Sequence, residues 1–206
     1  MADDANGVPI SAIVFGGRRK ELAPLVYEAK DWDHGVLVGA SCASEMTAAA
    51  IGGAGQVRRD PMAMKPFCGY NFADYFSHWL TFGNKSDKLP KMFHVNWFRR
   101  DSDGKFMWPG FGDNMRVLSW ILDRVEGKVD ARETPIGHLP NVADIDISGL
   151  DVSQETMEAL LSVNADQWQD EVTAISEYLG EFGSRTPQAL KDELAKISTA
   201  LKAKAA

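Results

Sequence analysis

The sequence predicts a mixed α/β fold. Short apolar, β-branched runs stop at glycines or turn residues, other stretches repeat their apolar residues at helical spacing, and the last quarter is helical throughout. With 206 residues and 45% apolar composition, the chain is long enough to bury a core of its own.

Residues 8–15 are apolar and β-branched, Gly16-Gly17 breaks the run, and Arg18-Arg19 follow, so a strand delivers two guanidinium groups to a turn. The residues before that strand offer no partner for it, which leads us to expect a truncated chain. Residues 35–40 repeat the pattern and read as a second short strand. Residues 41–55, dominated by Ala, Ser and Gly, have few side chains large enough to anchor them and read as a mobile loop. Aromatic residues at helical spacing across 70–82, ending at Gly83, predict a buried helix. Residues 92–98 read as a strand, Asp101-Ser102-Asp103-Gly104 as a hairpin-like turn, and 115–125 as a helix turning Val117, Leu118, Ile121, Leu122 and Val125 inward. Asn164 then caps a helix with the inner stripe Trp168, Val172, Ile175, Leu179 and Phe182, stopping at Gly183. Thr186-Pro187 opens the final helix, whose stripe is Leu190, Leu194, Ile197 and Leu201 and whose alternating charges form a solvated face.

The charge balance narrows the function. A net charge of −7 argues against a general nucleic-acid or membrane-surface binder, because either needs a basic face. The acidic opening Met-Ala-Asp-Asp-Ala-Asn-Gly is no secretory signal, and no apolar run is long enough to span a bilayer, so a cytoplasmic protein is expected. Cys42 and Cys68 lack CxxC spacing and read as reduced, mostly buried thiols. His34, His78, His94 and His138 lack metal-ligand spacing, and no GxSxG elbow occurs. Asn84-Lys85-Ser86-Asp87 imitates a guanine-specificity tetrapeptide, but it follows a helix and no GxxxxGK[ST] accompanies it.

The segment 97–114 carries the chemistry. Trp97, Phe98, Phe106, Trp108 and Phe111 are punctuated by Gly104, Pro109, Gly110 and Gly112, more turn residues than a plain aromatic core would hold. Flat side chains on loops can clamp a flat ligand, and Asn114 or freed backbone amides could read its polar edge, as a purine would require. An aromatic mini-core under a hairpin is the alternative. Arg18 and Arg19 suit phosphate oxygens, because guanidinium donors are forked and permanently charged, the alternative being a surface pair that neutralises neighbouring acids. A nucleotide-binding lobe is as far as the residues by themselves lead.

The strings ISAIVFGGRR at Ile10, PLVYEAKDWDHG at Pro24, DPMAMKPFCGYNF at Asp60, FHVNWFRRDSDGKFMWPGFGDN at Phe93 and RVLSWILDR at Arg116 closely resemble GTP-dependent phosphoenolpyruvate carboxykinases. They stand in that family's order and spacing. The resemblance implies the carboxy-terminal nucleotide-binding lobe of that fold, a mixed sheet with a helical end, divided as a partial GTP and lid lobe over 1–150 and a helical segment of the same lobe over 151–206. It implies the reversible conversion of oxaloacetate and GTP into phosphoenolpyruvate, GDP and carbon dioxide in gluconeogenesis, by a monomer without nucleic-acid or membrane partners.

By the same resemblance Phe98 and Phe111 sandwich guanine, Trp97 and Phe106 surround them, Gly112, Asp113 and Asn114 continue the guanine-contacting string, and Arg18 touches the GTP phosphates. Ser44, Glu45, Thr47, Ala48 and Ala49 belong to a lid that gates the site without doing chemistry. Two departures stand out: Ile51-Gly52-Gly53 where the family continues with Glu and a lysine-containing stretch, and Asp113 where Glu is common. The family's phosphate loop, oxaloacetate-binding arginine and ligands for manganese and a second, nucleotide-bound metal (magnesium) lie upstream of these strings. The chain is therefore expected to be a fragment inactive alone, with a non-catalytic guanine-nucleotide module or a ligand-free scaffold as the alternatives.

Overall fold

A computed structural model describes residues 3–5, 7–46 and 55–205. Five short strands form one mixed sheet in the order β1 (Ala12–Gly16), β5 (Lys91–Val95), β2 (Val26–Glu28), β7 (Gly137–Leu139) and β6 (Arg132–Thr134). β1 runs parallel to β5, with Val14 opposite Phe93, and the remaining pairings are antiparallel. The mixed α/β expectation therefore holds.

The stretch expected to be a second strand is instead helix α1 (Trp32–Ala40). The β-branched Val36 and Val38 suggested extension, but Asp31 caps the helix by accepting from the His34 N–H at 2.8 Å. Every residue from His34 to Ala40 is buried, so no polar face marks the helical period. Gly35 and Gly39 permit this burial: a Cβ would stand 2.4 Å from Met92 Sδ at the first and 2.7 Å from the Phe15 ring at the second. Helix α2 (Phe72–Thr81) lies where the aromatic spacing placed it, although only Ala73 and Phe76 are buried within it.

β5 is shorter than expected, because the chain leaves the sheet after Val95 to enter the aromatic segment. On one face of the sheet, helix α3 (Asn114–Val125) sets Trp120 edge-on against Phe93 at 6.1 Å. The same helix sends Arg124 to buried Glu28, which also holds Lys91, each at 2.7 Å. Val117 and Ile121 face inward as expected, whereas Leu122 is exposed.

Beyond β6 and β7 come the short helix α4 (Gln154–Leu160), then α5 (Ala165–Gly180) and α6 (Gln188–Ala205). The predicted cap is present, Asn164 Oδ1 accepting from the Gln167 N–H at 3.0 Å. Trp168, Val172, Ile175 and Leu179 join Leu190, Leu194 and Leu201 in one core cluster with the sheet. Phe182 and Ile197 are only partly buried against it. Of the two thiols, Cys42 is buried and Cys68 half-buried.

Candidate nucleotide site

The loop expected over residues 41–55 begins as a strand. β3 (Ala43–Glu45) pairs antiparallel with β4 (Val57–Arg59), and Met46 and Gln56 extend the ladder through an N–H to carbonyl bond of 2.8 Å. Of the residues expected to form a lid, Ser44 and Glu45 stand on this strand-pair stem. Thr47, Ala48 and Ala49, and the departure at Ile51-Gly52-Gly53, lie outside the described residues.

The stem is fastened to the turn after β1, the arm of residues 17–20. Ser44 Oγ accepts from the Arg18 N–H at 3.1 Å, the Glu45 N–H donates to the Arg18 carbonyl at 2.8 Å, and Glu45 Oε1 accepts from the Lys20 N–H at 2.8 Å. Gly17 makes the approach possible, since a Cβ there would sit 2.2 Å from the Ala43 carbonyl oxygen.

The two adjacent arginines have separate tasks. Arg18 is exposed and, among the described residues, its guanidinium has no ion-pair partner. Arg19 turns inward and makes a bidentate pair with Glu171 of α5 at 3.0 and 3.1 Å. Arg19 is thus an unfavourable candidate for a phosphate, because its guanidinium is largely buried and its terminal fork is committed to a carboxylate, which leaves Arg18 as the exposed candidate. Arg59 of the stem reaches the same carboxylate at 2.7 Å. Burial pushes the Glu171 carboxyl up, but the hydrogen bonds and charges of Arg19 and then Arg59 outweigh that and hold it below the ordinary range.

Asn96, fully buried, is a positioning residue that sequence reasoning missed. Its Nδ2 donates to the carbonyls of Arg19 (2.8 Å) and Ala23 (3.0 Å), while its Oδ1 accepts from the N–H groups of Arg19 (3.2 Å) and Phe98 (3.3 Å). One amide therefore registers the arm of residues 17–20 against the aromatic loop. A polar residue ending an apolar strand was the available signal.

Arg18, Lys20, Glu45, Met46, Phe98, Arg100 and Phe106 line an open cleft of about 300 Å3. Phe98 and Phe106 meet nearly edge-on with centroids 6.1 Å apart, and the Arg100 guanidinium covers the Phe106 ring at 4.0 Å. Trp97 is partly buried against the core. The Asp101 to Gly104 turn closes as expected, with the Asp101 N–H donating to the Lys105 carbonyl at 3.0 Å.

Phe111 does not line this cleft. It stands 98% exposed at φ +53°, directly after Gly110 at φ +74°. Two successive left-handed residues turn the chain sharply, and the second costs about 1–2 kcal/mol for an L side chain. Strain that holds a naked aromatic ring in water is more typical of a binding surface than of packing. Gly112 is exposed beside it, and Asp113 pairs with Arg116 at 3.2 Å at the start of α3. Asn114 Oδ1 accepts from the buried Trp108 indole N–H at 2.9 Å, so only its amide nitrogen remains for a ligand. The aromatic segment is thus a mini-core at Trp108 and an open surface at Phe106 and Phe111.

Among the described residues no three His, Cys, Asp or Glu side chains converge as a metal site. The donor set among the described residues does not fit the divalent ions the family resemblance implied. No helix is long and apolar enough to cross a membrane among the described residues.

Comparison with known proteins gives one consistent result. Residues 1–200 match the phosphoenolpyruvate carboxykinase C-terminal P-loop domain. The chain is 54% identical over 200 residues to a phosphoenolpyruvate carboxykinase (GTP) of Chlamydia pneumoniae and 56% identical over 200 residues to that of Neocallimastix frontalis. Each alignment covers 96% of this chain and 33% of the relative, so the chain spans about a third of the length of the curated relatives it matches.

Proposed function

The chain belongs to the GTP-dependent phosphoenolpyruvate carboxykinase family, and from that premise we propose that it provides the guanine-nucleotide pocket and lid stem of such an enzyme. The complete reaction interconverts oxaloacetate plus GTP with phosphoenolpyruvate, GDP and carbon dioxide. The observation carrying this reading is the convergence of Arg18, without an ion-pair partner among the described residues, with Phe98 and Phe106 in one cleft beside the lid stem. Arg18 holds phosphate oxygens. Phe98 and Phe111 take the two faces of guanine, within surroundings made by Trp97 and Phe106, and Gly112, Asp113 and Asn114 run along its polar edge. Because Phe111 stands outside the cleft, the sandwich forms only when a base bridges the two rings.

Ser44, Glu45, Thr47, Ala48 and Ala49 gate the site, shielding the reactive intermediate from water. Manganese and magnesium act in the complete enzyme through ligands outside this chain. The chain itself binds nucleotide without turning it over, as a cytoplasmic monomer with small-molecule ligands only.

The test is a coupled assay of the purified chain with oxaloacetate, GTP and manganese, alone and after mixing with the remaining two-thirds of the Neocallimastix frontalis relative. Phosphoenolpyruvate formed only in the mixture supports the proposal. Turnover by the chain alone would overturn its non-catalytic assignment.

A further inference from the structure

Glu171 lies on α5, in the helical end of the chain, about 150 residues from the arm and 110 from the lid stem. Its carboxylate nevertheless joins them. Arg19 occupies both oxygens, Arg59 shares Oε1, and the three side chains are only 11–13% exposed. Arg59 also donates to the Ser41 carbonyl at 3.0 Å, tying β4 back to the end of α1.

Two guanidinium groups compensated by one carboxylate leave a net positive charge under the arm, beside the exposed Arg18. Without the carboxylate, two buried cations would face each other across the joint between arm and stem. Such like-charge contacts are unfavourable in a weakly solvated interior, so the joint would open.

We propose that Glu171 is a positioning residue that clasps the phosphate arm to the lid stem, so that nucleotide phosphates at Arg18 and the β3–β4 hairpin act on one another. The coupling half of this inference rests on the nucleotide reading above. Neither Glu171 nor Arg59 touches the cleft around Phe98 and Phe106. The clasp therefore acts on phosphate and lid, not on base recognition.

The experiment compares wild type with Glu171→Gln, which keeps the shape and removes the charge, and with Arg59→Met, which frees the stem while leaving the Arg19 pair. Hydrogen exchange is followed in peptides covering the hairpin and β5, together with affinities for GDP and guanosine. The expected result is faster exchange confined to the hairpin in both variants. GDP affinity falls about tenfold, within the usual range of site-to-site coupling, while guanosine affinity changes less than about twofold. Unchanged hairpin exchange overturns the clasp, and so does uniform loosening of hairpin and β5, which would mark a plain stability contribution. If Glu171→Gln does not fold, Arg59→Met decides on the same readouts. A wild-type chain that binds neither ligand sinks the nucleotide reading and the coupling with it, and hairpin exchange then still decides the clasp.

Discussion

Trp108 donates its indole N–H to Asn114 Oδ1 at 2.9 Å, which commits the oxygen end of the Asn114 amide and leaves its nitrogen as the available donor. An amide N–H2 can donate to guanine O6, whereas adenine presents its own N–H2 at that position. Asn114→Asp keeps the acceptor for Trp108 and loses the donor. We expect its melting temperature to stay near wild type while the preference for GDP over ADP disappears. Asn114→Ala leaves a buried indole N–H unpaired and costs about 1–3 kcal/mol in denaturant unfolding.

Phe111 separates stability from binding. Because the ring is 98% exposed and its backbone left-handed, Phe111→Gly removes no core contact and relieves strain. Thermal stability is expected to stay equal or rise by about 1 kcal/mol, while GDP affinity drops at least tenfold. Calorimetric melts and titrations on the same sample check both halves.

The neighbouring arginines diverge in the same way. Arg18→Ala should weaken GDP but not guanosine and leave the melt unchanged, because the side chain is exposed. Arg19→Met leaves Glu171 compensated by Arg59 and should destabilise the chain by about 1.5–3 kcal/mol, the scale of lost hydrogen bonds to a charged group.

Two buried histidines set the acid limit. Burial pushes both His34 and His94 down to about 4 from 6.5, with Asp31 offsetting part of this at His34 and Arg19 adding to it at His94. His34 Nδ1 accepts from the Lys30 N–H at 3.0 Å, a bond lost if that nitrogen takes a proton. The unfolded chain binds protons between pH 6.5 and 4 that the folded chain refuses, so stability falls as pH drops through that window. At pH 5 the loss is on the order of 2 kcal/mol per histidine relative to pH 7.5. Denaturant unfolding at the two pH values measures it, and His34→Gln should remove about half of the dependence, His94 keeping the rest.

The legible parts of the fold were those with one solvated face. α5 and α6 show their cap and stripe because water marks the opposite side, and the aromatic loop shows its turns. α1 was not legible: a helix buried all round has no polar phase, and its glycines serve packing against Met92 and Phe15 rather than chain breaking. The β3–β4 stem escaped because each strand is only three residues long, shows no apolar alternation and is held by backbone bonding. For the candidate site, residue type singled out Arg18, Arg19 and the aromatic segment without separating one arginine from the other. The division of labour between Arg18 and Arg19 depends on Glu171 and Asn96, which only folding brings near.

The most direct test of the nucleotide-pocket account is titration calorimetry of GDP and ADP into the purified chain, with Phe111→Ala as control, after a cooperative melt. The account predicts saturable binding that prefers GDP and is lost in the variant. A folded chain that binds neither nucleotide, or binds both equally and independently of Phe111, would contradict it.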